Sequence, residues 1–141
     1  MSVLCMCGGR SEMSRLKVLI VEDHPDICEM IRKLIAPEHE IVGAVERGDE
    51  ALQSAKQLAP DVVLLDISLP GMTGFQVLPS IRKTLPEAVI VMLTMYDTPA
   101  YQRKAFEEGA DAYVLKTKAA TELIPAIRTS RALRFKTITT S

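Results

Sequence analysis

The chain has 141 residues, 48% hydrophobic and 25% charged, which suffices for one domain with its own core and falls short of two ordinary ones. No apolar run approaches the roughly 20 residues that cross a bilayer, and the start lacks the charged end and long apolar stretch of a secretory signal, so a cytoplasmic protein is expected. The formal net charge of −1 hides an asymmetry: Leu16 to Ile127 holds 11 basic and 17 acidic residues, a net of −6, and an acidic body is a poor ligand for nucleic acid.

Residues 1–15 read as a flexible leader or expression remnant. Cys5 and Cys7 form a CxC pair there and Cys28 falls in a helical pattern; three thiols without a second paired cluster give neither a disulfide framework nor a four-ligand zinc site. Apolar runs and helical patterns then alternate five times. "KVLIV" (17–21) predicts a buried strand and "PDICEMIRKLIA" (25–36) a helix, with Pro25 suited to its first turn and Ile27, Met30, Ile31, Leu34 and Ile35 at helical spacing. "EIVGAV" (40–45) and "GDEALQSAKQLA" (48–59) repeat the pair, and Pro60 stops the helix. "DVVLLD" (61–66) and "GFQVLPSIRKTL" (74–85) follow, then "AVIVMLT" (88–94) and "PAYQRKAFEEG" (99–109). "AYVLK" (112–116) and "AATELIPAIRTSRAL" (119–133) close the series. Pro79 and Pro125 fall inside helical patterns, where each removes a hydrogen bond and predicts a local bend.

Strict alternation of this kind predicts a parallel sheet with helices on both faces. In such a sheet ligands bind beyond the carboxyl ends of the strands. The first strand ends at Glu22-Asp23, the third at Asp66, the fourth at Thr94 and the fifth at Lys116, so three carboxylates, a hydroxyl and an ammonium are expected on one rim. Each alone has an ordinary explanation: Asp23 as a helix cap, Asp66 as a turn residue, Thr94 as a strand former, Lys116 as a solvated base. Their conjunction needs another. Crowded carboxylates repel, a hard divalent cation relieves that repulsion, and Mg²⁺ favours carboxylates, carbonyls and water. A cation plus a lysine can stabilise an incoming phosphoryl group, and a carboxylate there can be the nucleophile, giving an acyl phosphate.

Taken together, "VEDHP", "VVLLDISLPGMTG", "MLTM" and "ADAYVLK" resemble the receiver domain of bacterial two-component response regulators, over about residues 16–133. The "DHP", "LPGMTG" and "GADAYVLK" wording is similar to the NarL/LuxR-type branch, whose members usually regulate transcription. The resemblance implies a flavodoxin-like (βα)5 fold, a doubly wound α/β sheet with strand order 2-1-3-4-5. It implies that Asp66 accepts phosphate from a phosphohistidine on a sensor histidine kinase. Asp23, Asp66 and the backbone carbonyl of Ser68 would bind Mg²⁺, with Glu22 assisting, often through water, and Lys116 would contact a phosphoryl oxygen. Thr94 would swing toward the phosphoryl group and Tyr113 would move inward, coupling the site to the face formed by the fourth helix, fifth strand and fifth helix. That face is the candidate for homodimer or effector contact. Thr117 stands where many receivers have proline after the lysine, so no cis bond is assumed. Met95 is larger than the small residue often found after the threonine. Tyr96, two residues beyond Thr94, is expected to hinder the hydrolytic water and prolong the phosphoryl state.

Residues 134–141 read as a tail or the start of a linker, too short for a helix-turn-helix. The reading favoured is a receiver cut from a DNA-binding transcriptional regulator, reaching DNA only through that missing output domain, with no membrane partner. The alternative is a natural stand-alone single-domain regulator acting by protein contact. Such a protein is not an enzyme beyond its own phosphorylation and dephosphorylation. A phosphatase of the haloacid-dehalogenase type also uses a strand-end Asp, but it needs a second acid two residues later, where Ser68 stands. A fold without the chemistry is disfavoured by the full set of acids, Thr94 and Lys116. A flavin protein is disfavoured because no phosphate-cradling loop follows the first strand.

Overall fold

The computed structural model describes residues 15–140; the leader before Arg15, with Cys5 and Cys7, and Ser141 lie outside the described residues. Five strands and five helices alternate: β1 Lys17–Val21, α1 Pro25–Ile35, β2 Glu40–Val45, α2 Gly48–Leu58, β3 Val62–Leu65, α3 Gly74–Thr84, β4 Val89–Thr94, α4 Pro99–Glu107, β5 Ala112–Leu115 and α5 Ala119–Thr140. The strands are all parallel, in the order β2-β1-β3-β4-β5, as the alternation predicts. The chain moves outward from β1 to β2, then returns past β1 to β3 and continues the other way. Because parallel crossovers keep one hand, that reversal puts α1 on one face and α2, α3 and α4 on the other. After β5 the chain turns back, and α5 packs beside α1.

Alternate residues of the inner strands divide the core accordingly. Leu19, Val21, Val63, Leu65, Ile90 and Met92 pack with Ala51, Ala55, Val77, Leu78, Ile81 and Ala105 of α2–α4. Val18, Ile20, Val62, Leu64, Val89, Val91 and Leu93 pack with Ile31 and Ile35 of α1 and Leu123 and Ile127 of α5. Burial on both faces explains why β1, β3 and β4 are apolar throughout, without the alternation of a half-solvated strand.

Most boundaries fall within one or two residues of expectation, and three of the differences matter. Lys116 leaves the fifth strand and opens a 3-10 turn, Lys116–Lys118, so its side chain points into the rim region after the ladder has ended. Asp66 likewise follows the last residue of β3. The last helix does not stop at 133 but continues to Thr140: no Gly or Pro follows Leu133 to end it. Arg134 also ties it down, donating to Asp111 Oδ1 at 2.8 Å and to the Pro86 carbonyl at 2.9 Å. Helices α3 and α5 each continue through their internal proline, Pro79 and Pro125.

Candidate functional site: an acidic rim closed by a lysine

The backbone carries the acids past the strand ends without losing its hydrogen bonds. The Glu22 N–H donates to the Val45 carbonyl at 3.0 Å and the Asp66 N–H to the Val21 carbonyl at 3.1 Å. Both residues are therefore held in sheet register while their side chains reach the rim. The loop after Asp66 then folds back over the strand end. At Gly74 the N–H donates to the Ile67 carbonyl at 2.8 Å, and a Cβ would lie 2.2 Å from the Asp66 carbonyl oxygen, so only glycine fits. Gly71, at φ +82°, makes the turn before it. Thr73 caps α3 through a reciprocal pair with Gln76, which fixes where the loop ends.

At the rim, side-chain oxygens of Glu22, Asp23 and Asp66 and a ring nitrogen of His24 all lie within 4.8 Å of one another. Glu22 and Asp66 are buried, their side chains only 1% and 4% exposed. The Lys116 ammonium lies 2.7 Å from Glu22 Oε1 and 3.1 Å from Asp66 Oδ2. Burial, and then repulsion from Glu22, hold the Asp66 carboxyl above the ordinary carboxylate range, with Lys116 pulling the other way. Burial disfavours the Lys116 ammonium, but Glu22 and Asp66 outweigh it and hold its pKa above the usual value. Lys116 is thus a fixed cation. Ser68 joins through its backbone, whose N–H donates to Asp66 Oδ1 at 3.3 Å.

The ordinary explanation of Asp23 as a helix cap does not hold. The N-cap of α1 is His24, and its side chain makes no capping hydrogen bond. Asp23 Oδ1 is buried and has no hydrogen-bond partner, a costly state for a carboxylate oxygen without a compensating cation.

Thr94 and Tyr113 form a second, adjoining group. Thr94 is fully buried at the end of β4, and its hydroxyl accepts the Tyr96 N–H at 3.1 Å. The half-buried Tyr113 donates its hydroxyl to the Tyr96 carbonyl. Burial raises the Tyr113 pKa, with the Thr94 hydroxyl opposing. Both side chains therefore grip the same loop. The Tyr96 ring, 46% exposed, stands edge-on to Tyr101 at 5.4 Å, and Tyr101 edge-on to Phe75 at 5.5 Å. His24 is the rim residue that sequence reading passed over. The signal was present, an imidazole directly after an acidic pair at a strand end, but nothing in the sequence says which way the ring turns.

Comparison with known proteins agrees with the fold. The family model described as the response regulator receiver domain matches residues 18–128. The response regulator protein VraR of Staphylococcus saprophyticus is 34% identical over 115 residues, 80% of this chain and 55% of that protein. The chain spans about half the length of the curated relatives it matches. Among solved structures, a LuxR-family two-component response regulator from Aurantimonas aligns with a TM-score of 0.79 and 35% identity, covering 84% of this chain and 86% of the other. The signal receiver domain of the putative response regulator NarL of Mycobacterium tuberculosis aligns at 0.78 and 30%, covering 84% and 98%. No helix among the described residues is long and apolar enough to cross a membrane.

Proposed function

Because the chain belongs to the response regulator receiver domain family, we propose that its acidic rim is a phosphoryl-accepting switch, with Asp66 the acceptor and a sensor histidine kinase the donor. The observation that carries this reading is the environment of Asp66. It is a buried carboxylate held in sheet register, ion-paired to a buried lysine and clustered with Asp23, one of whose oxygens is buried without a hydrogen-bond partner.

Three carboxylates against one ammonium leave two negative charges in excess. That excess, the all-oxygen character of the acids and the buried Asp23 oxygen suit Mg²⁺. Asp23, Asp66 and the Ser68 carbonyl would hold it, with Glu22 assisting through water. Bound there, Mg²⁺ supplies charge neutralisation for the phosphoryl oxygens. The chain's own residues do the rest. An Asp66 oxygen attacks phosphorus while the P–N bond of the phosphohistidine breaks and its electron pair returns to the imidazole. Lys116 turns from Asp66 toward a phosphoryl oxygen, keeping Glu22 as its anchor. Thr94 exchanges its bond to the Tyr96 N–H for one to the phosphoryl group. Tyr113, sharing the Tyr96 loop, follows inward, and the face made by α4, β5 and α5 changes shape. Exposed Phe106 and Leu133 give that face an apolar surface on which an output domain or a second copy would rest. DNA control would then belong to an output domain, as in the transcriptional relatives.

Incubation with acetyl phosphate and Mg²⁺, followed by intact-mass spectrometry, tests the reading. One alkali-labile phosphoryl group is expected on the native chain and none on Asp66→Asn. Uptake that survives Asp66→Asn, or no uptake by the native chain, would overturn it.

A further inference from the structure

The His24 ring does not cap the helix it opens but turns back onto the acids before it. It is the N-cap of α1 yet makes no side-chain cap bond, and its side chain is 65% exposed. Nevertheless its Nδ1 lies 3.2 Å from Glu22 Oε2 and 3.2 Å from Asp23 Oδ1. A proton on Nδ1 has hydrogen-bond geometry toward Glu22 Oε2, which already accepts the His24 backbone N–H at 3.1 Å, whereas its contact with Asp23 Oδ1 is an ion-pair distance without that geometry. Asp23 Oδ1 is buried without a hydrogen-bond donor. Neighbouring ligand atoms around an octahedral ion with bonds of about 2.1 Å stand about 3.0 Å apart. Both separations are close to that edge length, and the ligand atoms of the cluster lie within 4.8 Å of one another, so Nδ1 and a carboxylate oxygen can share one ion after a small shift.

We propose that His24 is a nitrogen ligand of this rim, making it selective for divalent ions that accept imidazole, such as Co²⁺, Ni²⁺ or Zn²⁺, over Mg²⁺. Imidazole suits the later first-row metals, whereas Mg²⁺ takes oxygen donors and gives up water reluctantly. With Nδ1, Glu22 Oε2 and Asp23 Oδ1 as one set and Asp66 completing it, such an ion would compete with Mg²⁺ for the carboxylates the phosphoryl switch needs. The inference rests on reading the acidic rim as a metal site.

Calorimetric titrations with Co²⁺ and with Mg²⁺ test it, using the full chain carrying Cys5→Ser and Cys7→Ser so that the leader thiols do not compete. Proton NMR of the Co²⁺ complex should show a paramagnetically shifted exchangeable imidazole resonance. The ratio of Co²⁺ to Mg²⁺ affinity should fall about tenfold or more in His24→Ala, because even outer partners of metal ligands are worth roughly 10–100-fold, and the shifted resonance should vanish. If the parent chain binds both ions but His24→Ala leaves the ratio and the resonance as they were, the inference is overturned while the phosphoryl reading stands. If the parent chain binds neither ion, both are overturned.

Discussion

Replacing Lys116 with methionine keeps the length and apolar stem of the side chain and deletes one positive charge. In the native chain that charge lies 2.7 Å from a Glu22 carboxylate 1% exposed and 3.1 Å from an Asp66 carboxylate 4% exposed. The variant leaves two buried carboxylates facing each other with no protein cation. Removing one partner of a buried pair costs about 3–5 kcal/mol, out of a total stability of about 5–15 kcal/mol. An exposed pair would cost under about 1 kcal/mol. Urea unfolding followed by far-ultraviolet circular dichroism, without divalent ions, should show the larger loss, with a melting point lower by about 10 °C. The loss should depend on pH. Asp66 is already held above its ordinary 3.8, by burial and then by Glu22, against Lys116. A folded pKa above the unfolded one gives stability that is full below about pH 3.8 and declines as pH rises through the folded value. Without Lys116 that folded value climbs further, so the deficit should be widest at neutral pH and narrow on acidification. Mg²⁺, binding only the folded chain, should recover part of it. A loss under about 1 kcal/mol that ignores both pH and Mg²⁺ would refute the reasoning.

Buried His39 accepts the Leu16 N–H on Nδ1 at 3.2 Å, and burial lowers its pKa from 6.5, against an opposing pull from Glu38. A folded value below the unfolded one gives stability present above about pH 6.5 and lost as pH falls toward the folded value. Melting curves of the native chain should therefore fall between pH 7.5 and 5.5 by more than those of His39→Leu. The variant should also lose about 1–3 kcal/mol at pH 7.5 for the stranded amide. Arg82 donates to the carbonyls of Gly109, Leu85, Pro86 and Ala88 and to Asp111 Oδ2 at 2.6 Å. Arg82→Ala should cost about 3 kcal/mol in urea unfolding, and a cost like that of Arg128→Ala, whose pair with Glu38 is exposed, would contradict the role given to it. Tyr96→Ala should shorten the lifetime of the phosphoryl group in a chase monitored by mass spectrometry. An unchanged rate would mean the ring, set edge-on to Tyr101, does not shield the site.

The parallel architecture was legible because its signals are redundant. Runs such as "VVLL" and "VIVML" can be buried on both faces only in a covered sheet, and the helices between them set the crossovers. The rim was legible for a related reason: strand ends in a parallel sheet must share an edge, so acids following Val21 and Leu65 and a lysine following Leu115 had to be neighbours. What the sequence hid were features decided by side-chain direction or by distant contacts. The imidazole of His24 could as well have pointed to solvent. The run of α5 past Leu133 depends on Arg134 reaching Asp111 and Pro86, partners that local propensity does not see. The shared grip of Thr94 and Tyr113 on the Tyr96 loop depends on the pairing of β4 with β5.

The acceptor itself can be located chemically. After treatment with acetyl phosphate and Mg²⁺, borohydride converts an acyl phosphate on aspartate into the corresponding alcohol, which a peptide mass map assigns to a position. Homoserine at 66, formed only when the divalent ion is present, is the expected result. Label at Asp23, or a stable phosphoester on Ser68, Thr73 or Thr94, would contradict the account.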